Sequence, residues 1–317
     1  VIARVADHCL WFGRYLERSE STARLLAATR ARALDAELPQ AMLWRPVLIV
    51  AGEAPAADAA LDGEQVLTRL TWDQGNPVAL RASLEAARWN ARAIRDVLSR
   101  EVWEVVNELH LWLAGDAARA AWASARDDFY RHVRRTTQLT LGLLRSTMLH
   151  DEPLNFIWLG VLLERVGQTA RTLDVHHHAL AEAALTTAGG SSPALEAALW
   201  HMLLRAMSGA EPFARCEPGD VTPARVARFL LDEARFPRSI AYGVRAAHER
   251  LQVICGDDDA PGRPGVRSRR RLAALDADLG RGRDARAPAS LHALLTHVVD
   301  EVHQACDELD VDLLGRG

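Results

Sequence analysis

At 317 residues, with 38 basic and 42 acidic side chains, a net charge of −4 and a pI near 6.3, the chain can bury a sizeable core and lacks the positive excess of a general nucleic-acid or polyanion binder. Every basic residue is arginine, which excludes a lysine Schiff base, a Walker-type phosphate loop and a kinase-type lysine. Cys9, Cys216, Cys255 and Cys306 form no C-x-x-C pair, so neither a disulfide framework nor a thiolate zinc site is expected.

Alanine, leucine and arginine dominate and aromatics make up 6% of the chain, so the expected class is all-α. The amino terminus has no basic-then-apolar leader pattern, because Asp7, Arg14 and Glu17 interrupt it. No apolar run reaches the length of about 18 residues that a membrane span needs. A cytoplasmic protein is expected, starting at or near Val1 and with no membrane or nucleic-acid partner.

In chain order, apolar residues recur at helical spacing through about 3–35, 78–114, 118–149, 154–184, 194–209, 222–232, 238–255 and 288–314. Pro46 is expected to end or kink a short element around Trp44. Asn76-Pro77 and Phe236-Pro237 sit where helices begin, with proline in the first turn. Pro212 and Pro218-Gly219 separate later helices. Residues 52–64 and 256–287 are poorly patterned, and the Pro/Gly part of the second reads as a mobile loop. Val47-Leu-Ile-Val50 is a short apolar run that imitates a strand, but no alternating pattern supports one.

Two helices repeat each other. Residues 11–26 align with 158–173, displaced by 147, and nine of the sixteen positions are identical: Trp11/Trp158, Gly13/Gly160, Leu16/Leu163, Glu17/Glu164, Arg18/Arg165, Thr22/Thr169, Ala23/Ala170, Arg24/Arg171 and Leu26/Leu173. Leu43-Trp44-x-x-Val47-Leu48 recurs as Leu199-Trp200-x-x-Leu203-Leu204, and Asn76-Pro77 as Phe236-Pro237. The offset grows along the chain, with Gly189-Gly190-Ser191-Ser192-Pro193 supplying part of the difference. His132-Val133 and His297-Val298 extend the series weakly. The expected architecture is one all-α domain over 1–317, a helical bundle of two pseudo-two-fold-related repeats covering about 1–150 and about 151–317. That period is too long for a solenoid.

On a helical wheel Trp11, Phe12, Tyr15, Leu16, Ser19, Thr22, Ala23 and Leu26 fill one arc. Arg18 and Arg165 fall just outside it, while Glu17, Ser21 and Arg24 occupy the opposite shoulder, matched by Glu164, Gln168 and Arg171. Glycine inside a helix costs about 1 kcal/mol against alanine, so the repeated Gly13 and Gly160 imply close approach of another backbone. If both faces are covered, the charges are buried and must be paired. Adjacent Glu and Arg point about 100° apart and cannot pair with each other. Arg14 could reach Glu17 at i, i+3, but Val161 replaces it in the second copy. Partners therefore come from elsewhere, across the two helices as Glu17 to Arg165 and Glu164 to Arg18, or from later helices of the same half.

Val5-Ala6-Asp7 followed by Trp11-x-x-Arg14-Tyr15-Leu16-Glu17-Arg18 resembles the Alpha-E domain family. Ala91-Arg92-Ala-Ile-Arg95-Asp96 with Trp103 and Asn107, Thr147-Met148, and Phe236-Pro237-Arg238-Ser239 resemble further stretches of it, so that the likeness spans nearly the whole chain. The resemblance implies a bacterial protein encoded with, or fused to, a circularly permuted ATP-grasp ligase, with a transglutaminase-like thiol peptidase and a proteasome-like peptidase as other neighbours. It implies support of peptide or amide-bond synthesis, and it places Arg92, Arg95 and Arg238 near the Glu-Arg helices, in a buried network or in a pocket for carboxylate or phosphate groups. Three stretches depart from the family pattern: Glu152-Pro153-Leu154-Asn155 replaces an acidic-Gly-Trp run, Val161 an arginine and Ala79 a serine.

Other groupings carry less. Asp174 with His176-His177-His178, and His178 with Glu182, have metal-ligand chemistry but fit helix-end capping better. His297, Asp300, Glu301 and His303 share a late helix, where only His297 faces the acids. No Glu-x-x-His, H-E-x-x-H, G-x-S-x-G or G-x-G-x-x-G motif occurs, and no metal or cofactor is expected. Asp257-Asp258-Asp259 reads as solvated, and Arg267 to Arg271 as a solvated helix start. Three functions remain. The first is an accessory or scaffold of an ATP-grasp peptide or amide ligase. The others are an enzyme using a carboxylate base beside arginines that hold an acidic or amino-acid-like substrate, and a small-molecule sensor at the same residues. A dry, fully paired cluster favours the first.

Overall fold

A chain rich in Ala, Leu and Arg favours helix. The structure, a computed structural model describing residues 2–35, 39–56, 60–186, 193–256, 260, 262–281 and 291–315, holds fourteen helices and no strand among those residues. They are α1 (Ala3–Asp35), α2 (Gln40–Val50), α3 (Gly63–Trp72), α4 (Leu80–Ala93), α5 (Arg100–Ala114), α6 (Asp116–Ser124), α7 (Arg126–Thr147), α8 (Glu152–Thr186), α9 (Pro193–Ala206), α10 (Ala210–Cys216), α11 (Pro223–Asp232), α12 (Ile240–Cys255), α13 (Val266–Arg281) and α14 (Leu291–Asp312). The all-α expectation holds. Residues 189–192 and the triad at 257–259 lie outside the described residues, as does the side chain of Glu182.

The two longest helices, α1 with 33 residues and α8 with 35, lie against each other at the centre. Helices α4 and α7 flank α1, while α12 and α14 flank α8; α2 packs mainly on α8, and α9 mainly on α1. Both sides of α1 are covered, so Phe12, Leu16, Ala23 and Leu26 are buried and so are Glu17, Glu20, Ser21 and Arg24.

Glycine makes the central crossing possible. A Cβ on Gly13 would lie 2.0 Å from the Ile157 carbonyl oxygen, and one on Gly160 would lie 2.0 Å from that of Leu10. Any side chain there would push the helices apart. The close approach inferred for these glycines is thus α1 against α8.

Several boundaries differ from the sequence expectation, each for a local reason. Helix α2 continues through Pro46, which neither ends it nor opens a strand at Val47–Val50. The stretch 78–114 breaks at 94–99, where the Ser99 hydroxyl accepts from the Val102 amide and caps α5. The stretch 118–149 divides into α6 and α7 at Ala125. Asn76-Pro77 and Phe236-Pro237 lie in turns, and the helices begin at Leu80 and Ile240, after extended residues Ala79 and Ser239. Helix α3, capped by the Asp62 side chain, and helix α10 lie outside the expected helical stretches. Helix α13 occupies much of a stretch that pattern alone leaves irregular. It starts after Gly265, whose φ of +78 suits glycine.

Gly160→Ala is expected to cost about 3 kcal/mol or more, because overpacking here meets backbone rather than a flexible side chain. Gly142, in α7, has open space around the position of a Cβ, so Gly142→Ala should instead stabilise by about 1 kcal/mol. Urea unfolding of both variants tests the contrast.

Candidate functional site

One turn beyond the glycine crossing, each central helix presents a glutamate to the other. The Arg165 Nη2 donates to Glu17 Oε2 at 2.6 Å. In the opposite sense, Arg18 grips Glu164 with two bonds, Nε at 2.7 Å and Nη2 at 3.0 Å. A second arginine completes each carboxylate, and the two differ. Arg238, just ahead of α12, donates to Glu17 Oε1 at 2.7 Å. Arg14 of α1 donates to Glu164 Oε2 at 3.1 Å. Ser21 adds a bond to Glu17 at 3.0 Å, and Gln168 one to Glu164 at 3.2 Å.

A third acid joins the cluster. Glu20 accepts from Arg24 at 2.8 and 2.6 Å, one turn along α1, and from Arg238 Nη2 at 2.8 Å. Arg238 therefore bridges two carboxylates, and Thr169 of α8 holds its backbone carbonyl at 3.1 Å. Arg165 also reaches the Pro237 carbonyl at 3.3 Å. The turn before α12 is thus tied to both central helices.

The cluster is dry: Glu17 is 0% exposed and Glu164 2%. Burial alone would raise both carboxyl pKa values. For Glu164 the pull of Arg18 and Arg14, with the bonds from Arg18 and Gln168, outweighs burial and holds the group at about 2. For Glu17 the pull of Arg165 and Arg238, aided by bonds from Arg165 and Ser21, likewise wins and lowers the pKa. A carboxylate offers about four acceptor sites, and the two Arg18 bonds, Arg14 and Gln168 fill those of Glu164. Such a group is charged at neutral pH and has no free lone pair with which to take a proton. The adjoining cavity, lined in part by Arg18, Ser21, Gln168 and Thr172, has a volume of about 30 Å³, room for water rather than a substrate.

The structure separates the arginines expected to share this site. Glu17, Arg24, Arg165 and Arg238 fall in one network through Glu20, and Glu164 and Arg18 fall in a second beside it. Arg92 and Arg95 are exposed on and just beyond α4, and Arg95 instead lies over the Trp103 ring at 5.4 Å. Both fall on the solvent side of the α4 region, while its inner side presents Asn90, Ala91 and Ile94. Arg171 is close to Glu164 without an ion pair among the described residues, and its Nε is buried with no partner. Burial lowers its pKa; Glu164 opposes this, and Arg18 and Arg14 add to the lowering. The sequence explains the difference from Arg24: Glu20 stands four residues before Arg24, but Gly167 stands four before Arg171. That spacing was the available signal for Glu20, which identity between the two helices overlooks. Arg14 gives no such signal, because its partner Glu164 lies 150 residues away on the facing helix.

Among the described residues, the one group with metal-ligating potential is Asp174, His178 and His292. His292 Nδ1 lies 2.9 Å from Asp174 Oδ1, and His178 Nε2 lies 3.5 Å from it. All three are at least partly exposed, and a hydrogen bond accounts for the approach of His292 to Asp174. On α14, Glu301 is taken up by Arg271 at 2.9 Å. Arg271 also binds Glu308, and Arg267 binds Asp312. The arginines expected to be solvated at a helix start thus stitch α13 to α14.

Over residues 1–312 the chain matches a family described as a predicted alpha-helical domain with a conserved ER motif; Glu17-Arg18 and Glu164-Arg165 are two such pairs. It is 28% identical to the uncharacterized protein Mb2597 of Mycobacterium bovis and to the uncharacterized protein Rv2567 of Mycobacterium tuberculosis, in each case over 94% of this chain and 36% of the relative. The chain thus spans little more than a third of the length of these curated relatives. No solved structure matches.

Glu17→Gln is expected to destabilise the fold by about 3–5 kcal/mol, since it strands buried guanidinium charge, whereas exposed Arg92→Gln should stay within about 0.5 kcal/mol. Both are read by urea unfolding at neutral pH. Glu164 adds a pH signature: its folded pKa of about 2 lies below its ordinary 4.5, so its contribution is complete above 4.5 and is lost as pH falls towards 2. Glu164→Gln should flatten the loss of stability across that window.

Proposed function

The chain belongs to the Alpha-E family, and on that premise we propose that it is a helical accessory or scaffold protein of a bacterial ATP-grasp peptide or amide ligase system. The observation that carries the reading is the saturation of Glu164: a water-stripped carboxylate with every acceptor site occupied suits a structural lock and does not suit a general base. In this reading the chain is one domain of two repeats about a pseudo-two-fold axis through the Gly13–Gly160 crossing. Reciprocal contacts support that symmetry, since Gly13 meets Ile157 and Val161 as Gly160 meets Leu10 and Arg14. So does the turn before α4, which bonds Asp73 to Arg69, Asn76 to Asp73 and Ala79 to Asn76. The turn before α12 repeats this with Glu233 to Phe229, Phe236 to Glu233 and Ser239 to Phe236.

The partner is a circularly permuted ATP-grasp ligase, with a transglutaminase-like peptidase as a second candidate, and the setting is the cytoplasm. No helix among the described residues is long and apolar enough to cross a membrane. The extra length of the curated relatives supports a unit that works joined to, or beside, another domain. An enzyme or sensor acting through Glu17 or Glu164 would need an opening at those carboxylates, and both are sealed.

Co-expression with the ATP-grasp ligase of the same organism should yield a complex on size-exclusion chromatography. ATP turnover and product formation by the ligase should rise when this chain is added. Failure of both across several cognate pairs would overturn the accessory role.

A further inference from the structure

The buried cluster reaches solvent at its Arg24 end, in a groove between α1, α7 and the turn after α9. The groove has a volume of about 690 Å³, and its lining includes Arg24, Arg131, Arg134, Arg135, Arg205 and Ser208. That volume lies in the range of small-molecule sites, roughly 300–1,000 Å³. Five arginines face two acids, Asp127 and Glu211, and Asp127 is already bound by Arg30 at 2.7 Å. Arg24 is committed to Glu20 and Arg131 to Asp128. Arg134, Arg135 and Arg205 have no ion pair among the described residues.

Such an arrangement costs stability in the absence of an anion. Arg131, Arg134 and Arg135 stand at i, i+3 and i+4 on one face of α7, where like charges repel. Arg134 is half-buried with its Nε sequestered and unpartnered. Burial lowers its pKa, Glu20 alone opposes, and Arg24, Arg131 and Arg238 add to the lowering. Ser208 carries a second cost. It closes α9 with φ +54, the only positive φ at a non-glycine position among the described residues, in a cap that glycine would take without strain. Its hydroxyl is buried and has no partner.

We propose that this groove binds a small molecule carrying a phosphate or diphosphate group, held by Arg134, Arg135 and Arg205 with Ser208 as an additional donor. A single planar carboxylate suits one guanidinium fork. A phosphate offers three terminal oxygens and a charge of about −1.5 to −2, enough to satisfy several. The site is distinct from the sealed Glu17 and Glu164 carboxylates and does not depend on the accessory role.

The test is titration of the whole chain with sodium pyrophosphate, against sodium chloride at matched ionic strength, read by calorimetry and thermal unfolding. Saturable binding with a rise in Tm is expected. Arg134→Gln or Arg205→Gln should each weaken it about tenfold, the value of one charged hydrogen bond. Arg205 is exposed, so its replacement probes binding without threatening the fold. Ser208→Gly should raise the Tm of the free protein yet weaken binding. Pyrophosphate acting no better than chloride, or both glutamine variants binding like the natural protein, would overturn the site. Citrate binding more tightly than pyrophosphate would overturn the phosphate assignment.

Discussion

Two helices that touch backbone to backbone dictate the rest of this molecule. At Gly13 and Gly160 the axes are too close for any side chain between them, so water is excluded on both sides of the contact. Glutamates one turn away are then cut off from solvent, and each draws a first cation from the facing helix. Arg165 and Arg18 supply the charge. Two glycines thus create the need for the ion pairs, and the ion pairs set how the helices lie. A slide along the crossing would bring a Cβ against a carbonyl and pull each carboxylate from its donors.

Matching surroundings do not follow from matching helices. Glu164 is completed by Arg14 of α1, but Val161, which stands in the equivalent place on α8, cannot serve Glu17. Arg238 does so from the turn before α12, and in reaching across it also takes in Glu20. Glu20 faces Gly167 in the alignment. The first helix therefore carries an extra acid and borrows a cation from far along the chain, while the second leaves Arg171 without an ion pair among the described residues.

The reciprocal pairs were legible because both halves of each pair lie on a repeated helix, and because neighbouring Glu and Arg cannot satisfy one another. The close crossing was legible for a similar reason, since glycine twice at one helical position demands an explanation. Arg92 and Arg95 went astray because a family resemblance carries no information about which way a helix face points. Asn90 and Ala91 turn inwards, and the arginines follow the other side. Helix breaks at Ser99 and Ala125 were illegible by periodicity because the apolar rhythm continues across them. A capping hydroxyl at Ser99, rather than a change of composition, ends the pattern there.

Glu17 takes both of its cations from far downstream, Arg165 at a separation of 148 residues and Arg238 at 221. A nascent chain leaving the ribosome has neither while its first helices form. Until α8 and the turn before α12 have been synthesised, that carboxylate must remain hydrated, and α1 cannot be sealed. Bringing such distant residues together closes long loops at an entropic cost, so the burial of Glu17 waits on partners made far later in the chain.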